Sequence, residues 1–212
     1  LTITTKEELL QFAQSVSGGE SYTGKTVVLA ANLSLAGEDF AGIGSSAAPF
    51  KGTFDGQNHI VSDLSSSVGF FADVNGGTVK NLIVRGMVNG ASNIAGVVGK
   101  LTAGAVQNCG NEASVSGGAN VGGVVGSVNG DCTVSGCYNS GAVRGTTGYI
   151  GGVTGQHWRA GTVENCYNIG TVSGPATVGG ITGGHKASSP VLRNCYSAGT
   201  VVDTAGNQNN IG

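Results

Sequence analysis

Few residues in this 212-residue chain have side chains able to do chemistry, and they form three groups. His157-Trp158-Arg159 and His185-Lys186 occupy equivalent places in two repeats. Two imidazoles beside an indole and two cations could hold an anion, a sugar or a weakly bound metal ion. The competing expectation is an exposed, variable loop that tolerates polar side chains. Tyr138, Tyr167 and Tyr196 share a second column. They form either a packing ladder or, if their rings are exposed, a strip on which a sugar stacks. Cys109, Cys137, Cys166 and Cys195 share a third, with Cys132 outside it. Thiols stacked one rung apart behave as small hydrophobes, so a free buried ladder is expected. A local Cys132–Cys137 disulfide is the alternative. A zinc site is not, because no second Cys-x-x-Cys pair is present.

Hydrolase and lyase chemistry needs paired carboxylates, or a base with nearby Arg or Lys, on one wall. The chain has 12 acidic residues. Glu7, Glu8, Glu20, Glu38, Asp39, Asp55 and Asp63 precede the regular repeats, whereas Asp73, Glu112, Asp131, Glu164 and Asp203 fall in different columns. The sequence shows no convincing nucleophile elbow, no His-Glu-x-x-His, no Walker-type phosphate loop and no Gly-Gly-x-Gly-x-Asp calcium repeat. No catalytic, metal-ligating or cofactor-binding residue is therefore assigned, and no cofactor is expected.

These residues are positioned by a repeat. Leu82, Cys109, Cys137, Cys166 and Cys195 lie 27, 28, 29 and 29 residues apart. Val79, Val106, Val134, Val163 and Leu192 keep step, as do Val88, Val115, Val143, Val172 and Val201. The pairs Val97-Val98, Val124-Val125, Val153-Thr154 and Ile181-Thr182 recur upstream of each marker. A unit this small cannot bury its own apolar face, so each must cover the next, as in a solenoid. Residue type chooses β over α. The recurring segments are short runs of Val, Ile, Thr and Tyr between Gly, Ser and Asn. With 40 glycines in the chain, a helical repeat would lose about 1 kcal/mol at each one relative to Ala. The predicted fold is an all-β parallel β-helix of about five regular rungs of 27–29 residues.

Lys80, Gln107, Ser135, Glu164 and Arg193 vary in chemistry beside the Val column and should face water. Asn81, Asn108, Asn165 and Asn194 should form an amide ladder. Strict alternation would put Val79 and Leu82 on opposite faces, so a bend or bulge is required at the Asn. The unit at Ser135-Gly136-Cys137 lacks that Asn.

The opening segment differs from the rest. Thr5 and Glu8 have capping-box spacing, Leu9, Phe12, Ala13 and Val16 share one face, and Gly18-Gly19 stops the run. Residues 1–24 are read as a short helical cap over the open end of the stack, and 25–212 as one continuous β-solenoid. Thr26–Ala30 and Leu33–Leu35 are the first expected strands, 37–49 a loop, and Asp55-Gly56 a turn. Phe70-Phe71 falls where later units have the Val-Val pair.

Phe50-Lys51-Gly52-Thr53-Phe54-Asp55-Gly56-Gln57-Asn58-His59-Ile60-Val61-Ser62-Asp63-Leu64, followed by Gly-Gly-Val-Val-Gly and Asn-Cys-Tyr-Asn repeats, resembles the GLUG-motif repeat proteins of bacterial cell surfaces. The resemblance implies parallel β-helix modules in large secreted or surface proteins, including adhesins and non-catalytic parts of immunoglobulin-cleaving peptidases. It supplies no catalytic motif. The expectation is thus a non-catalytic structural or adhesive module, extracellular or on a bacterial surface. A carbohydrate-binding β-helix is the alternative, and a polysaccharide lyase or hydrolase ranks third. The partner would be a host or cell-surface protein or a glycan. A net charge of −2 leaves no footprint for nucleic acid, and no apolar run is long enough for membrane insertion by a helix. Asn210-Ile211-Gly212 resembles Asn120-Val121-Gly122, where another rung begins. A longer parent chain, continuing the solenoid beyond 212, is therefore expected, and the uncapped carboxyl-terminal solenoid edge could also self-associate.

Overall fold

A computed structural model describes residues 1–185 and 190–206. Lys186 and the Asn210-Ile211-Gly212 segment lie outside the described residues. The chain is a parallel β-solenoid in which Val27, Phe54, Val79, Val106, Val134, Val163 and Leu192 stack in one in-register column. That column counts seven coils where the sequence predicts about five regular rungs. The first two stand outside the regular count because Asn32-Leu33 is out of step with the marker, Leu33 lying beside Val61 and Val84, and the second coil has Asn58-His59 in its place. Val28 and Asp55 precede Lys80 in the adjacent outward column, and Phe71 pairs with Val98 as expected.

The amino-terminal end is closed by a helix, α1, over Lys6–Ser17. It forms where predicted because the capping box is complete: Glu8 N donates to Thr5 Oγ1 at 3.2 Å, and Thr5 N donates to Glu8 Oε2 at 3.2 Å. Leu9, Phe12, Ala13 and Val16 are all buried. Phe12 meets Phe50 edge-on at 5.8 Å and stacks on Phe54 at 6.0 Å, so the cap grips the aromatic rings of the second coil. Ahead of the helix, Thr2–Ile3 pairs in parallel with Thr26–Leu29.

The bend demanded at the marker Asn is a single left-handed residue. Asn58, Asn81, Asn108, Asn165 and Asn194 have φ between 51° and 62°, and Gly136 takes φ 64° in the fifth coil. Asn and Gly are the residues that enter this region most easily, which explains both the column and its exception. One such residue breaks the alternation of the strand, so Val79 and Leu82 are both fully buried although three apart. The turn expected at Asp55-Gly56 lies later, at Gln57 (φ 47°) and Asn58 (φ 62°), inside the long strand Thr53–Ser66. Gly56 answers a different need, since a Cβ there would lie 2.4 Å from Asn81 O.

Gly136 also interrupts the exposed amide ladder. Asn108 Nδ2 donates to Asn81 Oδ1 at 3.4 Å and Asn194 Nδ2 to Asn165 Oδ1 at 3.2 Å, with no amide between the two pairs. Gly136→Asn is expected to raise stability by about 0.5 kcal/mol by restricting the unfolded chain, and to join the two ladders. A Cβ at Gly136 would meet only the end of the Asn108 side chain, which can move aside. A rise in the thermal midpoint checks this, and a fall would contradict it.

Two halves of the repeat meet across the interior. A Cβ on Gly96 would lie 1.8 Å from Asn111 Oδ1, one on Gly123 2.4 Å from Asn139 Oδ1, and one on Gly152 2.5 Å from Asn168 Cγ. The second glycine of each Gly-Gly pair, or the glycine of Ala95-Gly96, is therefore the seat for the second Asn of the same coil. Asn111, Asn139 and Asn168 are wholly buried. Asn111 Nδ2 donates to Asn139 Oδ1, and Asn139 Nδ2 to Asn168 Oδ1, both at 2.7 Å. Asn168 Nδ2 ends the ladder on Ser197 Oγ at 3.1 Å. Each amide also donates to the carbonyl two residues on, at 2.9–3.0 Å. Buried amides persist because their hydrogen bonds are filled in this way.

Candidate functional site

The outward polar column ties the coils together. Lys80 pairs with Asp55 at 3.2 Å, and Glu164 pairs with Arg193 on the next coil. Beside it, Arg85 pairs with Glu112 at 2.6 Å and Lys100 with Asp73 at 3.0 Å. Asp55 and Glu112 have lowered pKa values despite partial burial. The hydrogen bond from Asn81 and the Lys80 charge outweigh desolvation at the first, and hydrogen bonds from Arg85 and Tyr138 outweigh it at the second. These four carboxylates face a cation one coil away.

The tyrosines stack as one column. Tyr138 and Tyr167 lie 5.5 Å apart at 12°, and Tyr167 and Tyr196 5.4 Å apart at 7°. The column begins over Gly110, where a Cβ would lie 2.3 Å from Tyr138 Cζ, so glycine makes room for the ring. Tyr138 Oη donates to Glu112 Oε1 at 2.8 Å. Burial and this carboxylate push the phenol well above its ordinary range. Ring faces are therefore turned to one another, and the outer face of Tyr196, 58% exposed, is the one turned away from the stack. The alignment of equivalent coils brings the three residues together as the sequence predicts.

The cysteines are free thiols, as the ladder reading expects, and Cys132 and Cys137 are not bridged. Cys109 N donates to Cys137 Sγ at 3.5 Å, Cys137 N to Cys166 Sγ at 3.4 Å, and Cys166 N to Cys195 Sγ at 3.4 Å. Burial raises the pKa of Cys132 to about 11 and that of Cys137 well above the ordinary thiol range. The thiolate is the nucleophile and the metal ligand, so these buried sulfurs act as packing.

His157 departs from expectation. Trp158, Arg159 and His185 are exposed, but His157 is 1% exposed. The strand Thr154–His157 pairs with Val125–Val128 on one side and Thr182–His185 on the other, so His157 follows Val128 in a column that also contains Val74 and Leu101. The earlier members are wholly buried. The aligned apolar residues Leu101 and Val128 were the available signal that this position faces inward. His157 and His185 meet edge-to-face with centroids 5.4 Å apart. Neither ring nitrogen of His157 has a hydrogen-bond partner. An orphaned buried polar atom costs about 1–3 kcal/mol. Burial, reinforced by the neighbouring imidazole, lowers the His157 pKa to about 4, and burial lowers that of His185.

The interior thus changes character toward the carboxyl end. Phe71, Val98 and Val125 are followed in their column by Thr154 and Thr182, whose Oγ1 atoms lack partners. In the sequence the Val-Thr and Ile-Thr pairs read as equivalents of Val-Val, which conceals this change. Asn111, Asn139 and Asn168 are likewise not singled out, although an Asn two residues after the Cys recurs at all three. Among the described residues, no cluster of three or more His, Cys, Asp or Glu side chains is arranged to hold a metal ion, and no helix is long and apolar enough to cross a membrane.

Residues 146–173 match the family model described as the GLUG motif. This segment covers the strands around Gly151-Gly152 and Asn165-Cys166-Tyr167-Asn168. No curated protein matches the chain. Among solved structures, a Bacteroides ovatus protein provisionally assigned as an immunoglobulin A1 protease superposes with a TM-score of 0.69 at 20% identity. The match covers 95% of this chain and 76% of that one. At this identity the likeness concerns the fold.

Proposed function

We propose that this β-solenoid, carrying a GLUG motif at 146–173, is a non-catalytic structural and adhesive module of a bacterial secreted or surface protein. The observation that carries the reading is the use made of its carboxylates. Asp55, Asp73, Glu112 and Glu164 each face a cation of a neighbouring coil. A general acid or base has to reach a substrate proton with a pKa tuned to the operating pH. The lowered values at Asp55 and Glu112 suit a fixed ion pair better. The resemblance to a provisionally assigned immunoglobulin A1 protease supports a module accompanying such activity, with an extracellular location and a surface protein or glycan as partner.

A carbohydrate-binding role is the second reading, favoured by Trp158 at 43% exposure beside Arg159 and by the outer face of Tyr196. The purified chain, assayed on protein and glycan arrays and incubated with immunoglobulin A1 and acidic polysaccharides, separates these roles. Saturable binding without turnover is expected. Cleavage of either substrate, lost in Glu112→Gln or Glu164→Gln, would overturn the non-catalytic reading. Glycan binding lost in Trp158→Ala would favour the second reading over a protein partner.

A further inference from the structure

The end of the interior column around His157 is built unlike the rest. Phe50, Val74, Leu101 and Val128 form an unbroken apolar file, and the sixth and seventh coils then supply imidazoles at the same position. His157 is 1% exposed with both ring nitrogens unpartnered. His59 offers a contrast, since its Nδ1 lies 3.2 Å from Asn32 Oδ1. A neutral imidazole carries one donor and one lone pair. The lone pair is the commonest nitrogen ligand for borderline divalent metals.

Geometry permits one ion to serve both rings. An imidazole nitrogen sits about 2.0–2.1 Å from zinc, so two rings on one ion have centroids up to about 6.5 Å apart. The observed separation of 5.4 Å is inside that reach, and because the rings lie at 85° a shared ion requires the exposed His185 ring to turn so that its lone pair meets that of His157. His185 is exposed, leaving a route from solvent to the buried partner.

We propose that His157 and His185 bind a divalent transition-metal ion of the imidazole-preferring class, Zn2+, Ni2+ or Cu2+, which clips the sixth coil to the seventh. Two protein nitrogens leave the remaining positions to water, so the site holds the metal weakly and reversibly. Its effect is structural: it satisfies a buried lone pair and fastens the coil nearest the carboxyl end.

Calorimetric titration of the purified chain with Zn2+ and Ni2+, together with thermal unfolding with and without metal, tests the assignment. One ion per chain and a metal-dependent rise in the midpoint are expected. His185→Ala should weaken binding at least tenfold and remove that rise, whereas His59→Ala should change neither. His157→Leu restores the residue type of Leu101 in the same column, so it should fold, lose metal binding, and unfold at a higher temperature than the metal-free parent. Absence of binding at millimolar metal would overturn the proposal. So would binding that persists unchanged in both His157→Leu and His185→Ala.

Discussion

Asn139→Ala is expected to destabilise the protein by about 3–5 kcal/mol. The side chain is wholly buried, accepts from Asn111 Nδ2 at 2.7 Å, and donates to Asn168 Oδ1 at 2.7 Å and Gly141 O at 2.9 Å. Truncation weakens three sets of buried partners, each worth about 1–3 kcal/mol when left unsatisfied, and opens a void. The loss is reduced because Asn111 keeps Ala113 O and Asn168 keeps the donation from Gly170 N. Gly123→Ala should be similarly damaging, because its Cβ would lie 2.2 Å from Gly152 O and 2.4 Å from Asn139 Oδ1. Removing Asn139 relieves the second clash but not the first. The double variant should therefore cost measurably less than the sum of the single ones, the signature of residues in contact. Denaturant unfolding of the four proteins measures this, and strict additivity would contradict the contact.

The second large effect is expected with pH. In metal-free buffer, stability should fall by roughly 2–3 kcal/mol between pH 7.5 and pH 4.5. The unfolded His157 takes up a proton near its ordinary value of 6.5, whereas burial holds the folded group at about 4. The unfolded state therefore binds more protons in this window, so the contribution is fully present above about pH 6.5 and is lost as pH falls toward 4. His185, also lowered, acts in the same direction. Carboxylates with lowered values, such as Asp55, Asp63 and Glu112, mainly protonate below the window and add their own loss there. Denaturant midpoints across pH should show a steep wild-type profile and a flatter one for His157→Leu. Parallel profiles would remove His157 from the explanation.

His157 illustrates where reading the chain reaches its limit. The stacking of 157 on 185 and on 128 is legible from spacing alone, because parallel coils must place equivalent residues beside one another. The direction in which that column points is not. Each coil from the second onward contains a left-handed residue that cancels strand alternation, so polar and apolar positions cannot be assigned to faces by counting odd and even places. The same uncertainty hides Asn111, Asn139 and Asn168, whose amides look like surface residues until the Gly-Gly segment is found pressed against them.

The amino acid order by itself determined the parallel stack, the period, the capping helix with its buried face, and the shared column of Cys109, Cys137, Cys166 and Cys195. All of these follow from local backbone preference and repetition. Tertiary structure alone decided that the described residues wind through seven coils, the first with its Asn32-Leu33 out of step and the second with Asn58-His59 in place of the marker. It also decided that an inner amide ladder rests on glycine, and that one histidine is sealed inside while its neighbour meets solvent. Those outcomes depend on where the wall of each coil bends, and a bend is fixed only when the opposite wall packs against it.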